Sequence, residues 1–268
     1  MDFKKGGDED MRFSVYTRDD DFSRELAVKL NRIMIDEFHD KFDEESPQIV
    51  VCIGGDGTIL RAIHQYEEKL DQLVFVGIHT GTLGFFTDYT KDDVREFIQD
   101  LHDQKPVIES YPLIEAVVDD KKSYRALNEI RLGSFTTTVY YDIYVDGEYF
   151  ETICSAGICV STQAGSTAAN RSLGGAVVDD GLNIMELTQI MPVSHNNQHS
   201  MVSPYLLKQD RVIEIRGQSL KHSLLCYDHL ETKRLKEAQK VVIHLSNKCV
   251  QFVRFRPYSY LKRLKNLF

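Results

Sequence analysis

The sequence predicts an α/β N-terminal domain followed by a mostly β C-terminal domain, and three observations carry that reading. Between Phe13 and about Lys105, short apolar runs alternate with stretches of helical spacing, the pattern of a parallel sheet flanked by helices. After Pro106 the helical spacing gives way to closely spaced β-rich runs and an Asp146-Gly147 hairpin signal. The apolar run Ile49 to Ile53 leads straight into Gly54-Gly55-Asp56-Gly57-Thr58, a glycine turn at the carboxyl end of a strand, where open α/β sheets gather their ligands.

The elements follow in order. Residues 1–10 are polar and read as a flexible tail, with Met11 a possible native start. Residues 11–106 form the α/β domain. Phe13 and Val15 open its first strand, and Phe22, Leu26, Leu30 and Ile33 mark one helix face. After the run Ile49 to Ile53, a helix is expected from near Thr58, with Ile59, Ile63 and Tyr66 inward. Leu73 to Ile78 is the next strand and ends in His79-Thr80-Gly81-Thr82-Leu83-Gly84-Phe85. Thr90 and Asp93 have capping-box spacing ahead of the stripe Val94, Phe97, Ile98 and Leu101. Residues 107–250 form the β-rich domain, with runs at Leu113 to Val118, Tyr140 to Val145, Tyr149 to Ile153, Val212 to Ile215, Leu224 to Tyr227 and Val241 to Leu245. Its main interruption is 161–190, where Ser166 to Asn170 reads as a helix start and Gly174-Gly175 as its end. Residues 251–268 are basic and aromatic, and are expected to pack back on the acidic N-terminal domain.

Composition narrows the function classes. A chain of 268 residues with 42% hydrophobic content can bury a substantial core. Its net charge of −9 argues against nucleic acid or an anionic membrane surface as partner, since both need exposed positive charge. No run approaches the roughly 20 apolar residues of a membrane span, and no signal-peptide core is visible, so a cytoplasmic location is expected. The five cysteines, Cys52, Cys154, Cys159, Cys226 and Cys249, include no C-x-x-C pair. Reduced, buried thiols are expected rather than a disulfide framework or a zinc site.

The glycine turn carries the chemistry. Glycines let the backbone approach a ligand without a Cβ in the way, and the helix that follows aims free N–H groups at anionic oxygen. Asp56 is the only charged group there. A carboxylate against phosphates would repel them, so Asp56 faces either a hydroxyl it can deprotonate or a metal ion that bridges it to phosphate.

Three further segments extend the signal: His79 to Phe85, Ala126-Leu127-Asn128-Glu129, and Val160-Ser161-Thr162-Gln163-Ala164-Gly165-Ser166-Thr167-Ala168, followed by Ser172-Leu173-Gly174-Gly175-Ala176. In this order they resemble an NAD kinase of the bacterial type over essentially all of 11–268. Gly-Gly-Asp-Gly alone is shared with phosphofructokinases and with diacylglycerol and sphingosine kinases; Asn-Glu followed by Gly-Ser-Thr-Ala is far more specific. The resemblance implies a Rossmann-like, phosphofructokinase-like α/β domain and an all-β, sandwich-like domain with the active site between them, in a homodimer or homotetramer. It implies transfer of the γ-phosphoryl of ATP, or in some members of polyphosphate, to the 2′-hydroxyl of the adenosine ribose of NAD, with Mg²⁺. By the same resemblance Asp56 is the general base, Gly57 and Leu60 are neighbouring nucleotide contacts, Phe85 is an apolar wall, and Asn128 and Glu129 hydrogen-bond the dinucleotide. Thr167, Ala168 and Ser172 belong to a second nucleotide-binding segment, which also takes in Ala169, Asn170 and Arg171, and His229 lies close to the ligand.

The chain departs from that family's pattern in the cradle. The family's Gly-Asp-Gly, with arginines just upstream, aligns with Thr152-Ile153-Cys154-Ser155-Ala156-Gly157, so Ala156 stands where a carboxylate is usual. Ala169 takes the place of a tyrosine along the nucleotide, Gln163 that of a proline, and Asp179-Asp180 follow where His-Pro is usual. The rival readings are a non-catalytic or weakly active dinucleotide-binding paralogue and a lipid kinase sharing the same turn.

Overall fold

The computed structural model describes residues 11–193, 200–228 and 231–267. The tail 1–10 and His229 lie outside them. The chain forms two compact units, one running to Ser110 and resuming at Cys249, the other spanning Tyr111–Lys248.

In the first unit the strands Lys41–Phe42, Arg12–Thr17, Ile49–Ile53 and Val74–His79 pair in parallel in that order. Val74–His79 also pairs with Tyr89–Thr90 and, through Phe75, with Phe252 near the end of the strand Lys240–Arg254. Ile49–Ile53 is buried at every position, as expected of a strand covered on both faces. On one face the helices Asp21–Phe38 and Val94–Asp103 bury Leu26, Leu30, Met34, Phe97 and Leu101 against Ile49, Val51 and Val76, each large side chain contributing roughly 1.5–3 kcal/mol. Phe22, expected on that face, is 46% exposed, with the Lys91 ammonium 5.5 Å from its ring centre. The helix Asp56–Gln65 buries Ile59, Leu60 and Ile63. It starts two residues earlier than the sequence suggests. Gly55 is its extended N-cap and offers no side-chain bond, while an acidic residue in the first turn suits the positive end of the helix dipole. At the third helix the expected capping box is half formed: Asp93 accepts the Thr90 N–H at 2.9 Å, but no side chain bonds back into the helix.

The second unit has antiparallel strands in two sheets. One takes the order Tyr205–Lys208, Ile184–Ile190, Gly157–Thr162, Glu129–Gly133, Leu224–Tyr227, Glu231–Arg234. The other joins Glu148–Ser155, Val139–Val145, Ile213–Arg216 and the first part of Lys240–Arg254. Alternate residues of both, among them Ile130, Leu132, Tyr141, Ile143, Val160, Ile215 and Ile243, meet in one buried cluster, so the core lies between the sheets. Asp146 and Gly147 both take positive φ at the hairpin tip, the geometry of a type I′ turn. The interruption at 161–190 is less helical than expected: a 3₁₀ turn at Ala164–Thr167, a single turn at Ala169–Ser172, and then the strand Ile184–Ile190. Cys52, Cys154 and Cys159 are buried as expected, whereas Cys226 and Cys249 are only half-buried. Among the described residues no helix is long and apolar enough to cross a membrane.

Candidate active site

In the first unit, Asp56 is the first residue of its helix, directly after the buried strand and the two glycines. Its carboxylate reaches across to the segment after Val74–His79, where Oδ2 accepts the Phe85 N–H at 2.8 Å and Oδ1 accepts the Phe86 N–H at 3.1 Å. Two amides thus fix the plane of the carboxylate while each oxygen keeps a second lone pair. Burial pushes the Asp56 carboxyl above its usual range, against the opposing pull of those two amides and of the Arg263 and Arg254 charges. Gly84 lets the chain pass this close, since a Cβ there would sit 2.2 Å from Asp56 Oδ1. Gly57 is exposed beside Asp56, and Leu60 is 7% exposed on the inward face of the helix. Phe85 is half-buried with its ring 5.6 Å from that of Tyr260, whereas Phe86 stacks on Phe252 in the core. Of the two aromatics, Phe85 is the one a ligand can reach.

In the second unit, Asn128 lies between the strands Lys122–Ala126 and Glu129–Gly133, and Glu129 opens the second of them. The Asp228 carboxylate accepts the N–H groups of Leu127 and Asn128, both at 2.7 Å. From the other side the Thr162 hydroxyl donates to the Leu127 carbonyl at 2.6 Å, and the Thr162 N–H to the Asn128 carbonyl at 2.9 Å. Gly165 completes the clamp, because any side chain there would collide with the Asn128 carbonyl. The backbone is held and the side chains are left for other work: Asn128 Oδ1, Glu129 Oε2 and Ser161 Oγ are buried without a hydrogen-bond partner. Unpaired buried polar atoms cost about 1–3 kcal/mol each, so three together at the ends of two paired strands, where Ser161 faces Glu129, point to a polar ligand. Burial, reinforced by the Asp228 charge and opposed by Arg131, pushes the Glu129 carboxyl up to about 7.

The segment after Thr162 is tied down from inside. Asn170, expected at the ligand, is fully buried: its amide donates to Glu186 at 2.8 Å and accepts from Thr188 at 2.8 Å. Its place is therefore in the support of the segment. Gln163 is likewise buried, donating to the Val178 carbonyl at 3.4 Å. Thr167, Ala168, Ala169 and Arg171 are half-buried and Ser172 is exposed, which leaves these five as the accessible residues. Ala156 precedes the strand Gly157–Thr162, whereas Asn128 lies beside that strand's other end, about 20 Å away at ~3.3 Å per residue, and the segment carrying Asn170 folds back along the strand to Thr188, which pairs with Cys159. Ala156 lines a cavity of about 710 Å³ with Arg131, Phe135, Met191 and Leu173, the residue that follows Ser172. Asp228, Thr162 and Gly84 take supporting roles that the sequence motifs do not assign. The signal for the first is an Asp at a turn between β runs, a residue type that tolerates the left-handed φ of 48° it adopts.

Sequence profiles of the ATP-NAD kinase N-terminal domain and of the ATP-NAD kinase C-terminal domain match residues 8–105 and 127–255. The chain belongs to the ATP-NAD kinase family. It is 35% identical to NAD kinase 1 of Halalkalibacterium halodurans over 263 residues, covering 96% of this chain and 98% of that one. NAD kinase 1 of Bacillus subtilis is 32% identical over the same shares. Among solved structures, yeast NADH kinase complexed with NADH superposes with a TM-score of 0.81 at 18% identity, covering 97% of this chain and 88% of that one. An NAD kinase from Archaeoglobus fulgidus in complex with ATP gives 0.74 at 24% identity, covering 96% and 97%. These likenesses show the fold of ATP-NAD kinases, a mixed α/β domain followed by a β-rich antiparallel one.

Proposed function

We propose that this chain transfers the γ-phosphoryl of ATP to the 2′-hydroxyl of the adenosine ribose of NAD, with Asp56 as general base. The observation that carries the proposal is the carboxylate of Asp56, held by two backbone amides at the end of a buried strand with lone pairs to spare. As the hydroxyl oxygen forms its bond to the γ-phosphorus, the bond from that phosphorus to the β,γ-bridging oxygen breaks, ADP leaves, and the hydroxyl proton passes to Asp56. Phosphoryl transfer asks the protein mainly for positioning and charge stabilisation. Gly57, Leu60 and Phe85 supply the wall beside Asp56 in this reading. Asn128 donates and accepts at a base edge, and ionised Glu129 accepts from ribose hydroxyls. Thr167, Ala168, Ala169, Arg171 and Ser172 line the second segment.

Mg²⁺ fits this site as a passenger on the nucleotide. Among the described residues no three His, Cys, Asp or Glu side chains cluster to cage an ion, and Mg²⁺ is commonly held by one or two carboxylates together with substrate phosphates. Asp56 is the carboxylate available to it. When bound, the ion neutralises charge on the phosphates. The same reading includes a cytoplasmic location and a homodimer or homotetramer; the 95% exposed Phe135 and 75% exposed Met191 support self-association, and light scattering gives the number. NADP formation from NAD, ATP and Mg²⁺ by the parent and by Asp56→Asn tests the reaction. A dinucleotide-binding paralogue without activity is the second reading, favoured by Ala156 and Ala169, and it predicts NAD binding with no NADP.

A further inference from the structure

The Asp56 carboxylate is positioned by a loop, and the loop is positioned by the C-terminal segment. Residues 80–88 contain no helix or strand, yet they carry both amides that Asp56 accepts. Two buried guanidinium groups grip this loop. Arg263, 5% exposed, donates to the Phe85 carbonyl at 3.2 Å, to the Thr87 carbonyl at 2.7 Å and to the Asp88 carboxylate. Arg254, 3% exposed, donates to the other oxygen of Asp88 at 2.7 Å and to Glu109 at 2.9 Å. Both guanidinium groups lie 4.4 Å from the ring centre of Tyr258, so the two cations share one aromatic between them.

We propose that Arg263, with Arg254 beside it, is a positioning residue for Asp56: the pair fixes the loop from Phe85 to Asp88 so that its amides aim the carboxylate at the hydroxyl to be phosphorylated. The proposal rests on Asp56 as the base. Its physical ground is the character of buried ion pairs, which repay little net stability and supply fixed geometry instead. A residue kept only for stability here could be apolar. Arginine's planar fork reaches two carbonyls and a carboxylate at once, which the point charge of lysine cannot do. The charged groups facing Asp56 from the elements around it are these two arginines. Asp88 and Glu109 are paired with them, and Arg61 on Asp56's own helix bonds Thr58 at 3.3 Å. The arginine charges act in the same direction as the geometry, holding the Asp56 carboxyl down against burial.

Two substitutions separate charge from geometry. Arg263→Gln removes both: kcat is expected to fall about 10- to 100-fold, since a displacement of about 1 Å can cost 10², with KM for NAD and ATP within twofold. The acid limb of the kcat profile moves to higher pH, because less positive charge then opposes protonation of Asp56. Arg263→Lys restores the acid limb but not the full kcat. Carbon-13 NMR titration of the Asp56 carboxyl, in protein without nucleotide, gives the same comparison without the reaction and keeps the test alive if the parent makes no NADP. A titration midpoint and kcat unchanged in folded Arg263→Gln would overturn the proposal. So would losses in both variants that follow only the fraction unfolded, read from thermal melts; if Arg263→Gln does not fold, unchanged kcat in Arg263→Lys overturns it.

Discussion

Gly84→Ala tests the site with one methyl group. A Cβ at Gly84 would lie 2.2 Å from Asp56 Oδ1 and 2.6 Å from both Cγ and Oδ2. Ordinary contact begins at 3.4 Å, so the carboxylate or the loop must retreat by about 1.2 Å. The aspartate side chain has only two rotatable bonds, and Oδ1 and Oδ2 are already held by Phe86 and Phe85. The retreat therefore breaks at least one of these bonds, and a misplacement of about 1 Å at a reacting group can cost 10² in rate. We expect kcat for NADP formation to fall roughly 100-fold with the thermal midpoint changed by only a few degrees, because the clash lies at a partly exposed surface rather than in the core. Steady-state kinetics beside a melting curve reads both. A kcat within threefold of the parent would refute the reasoning, since it would mean that the aim of the carboxylate does not matter.

Other outcomes follow from the second unit. Glu129 titrates near 7 when folded and near 4.5 when free, so it lends stability below pH 4.5 that is lost as pH climbs to 7, an upper limit of about 3 kcal/mol. Glu129→Gln should abolish that slope in urea melts while raising KM for NAD, more than for ATP, by about 10- to 150-fold above pH 7; a retained slope would assign it to another group. Asp228→Asn leaves one acceptor for two buried amides, at a cost of about 1–3 kcal/mol in urea unfolding, and an unchanged midpoint would show the clamp to be idle. Ala169→Tyr should tighten NAD binding at least about fivefold by calorimetry, now that Gln163 and Asn170 are seen committed to the interior.

What the sequence discloses is local, and what it conceals is distant in the chain. Apolar periodicity located the helix over Leu26, Leu30 and Ile33 and the strand at Ile49 to Ile53, since a buried face leaves its period in neighbouring residues. The glycine turn singled out Asp56 for the same reason. The partners of Asp56 are 29 and 30 positions away, those of Leu127 and Asn128 about 100, and that of Phe85 in Arg263 is 178 away. No spacing rule reaches so far. Arg254 and Arg263 read in sequence as part of a basic tail, yet each is buried against Asp88. Asn170 reads as a polar residue beside a ligand, and it turns inward because Glu186 and Thr188 on the strand Ile184–Ile190 offer it both an acceptor and a donor.

The role of Asp56 as general base in phosphoryl transfer from ATP to NAD is tested most directly by NADP formation from NAD, ATP and Mg²⁺ in the parent and in Asp56→Asn, each checked for folding by thermal melt. Asparagine keeps the shape and one acceptor for the Phe85 and Phe86 amides but cannot take a proton. The parent should make NADP, and the variant should lose about 10²–10⁴-fold in kcat while still folding, its melting point lowered only by the loss of one of the two acceptors. Activity within threefold in Asp56→Asn, or no NADP from the folded parent, would contradict the assignment.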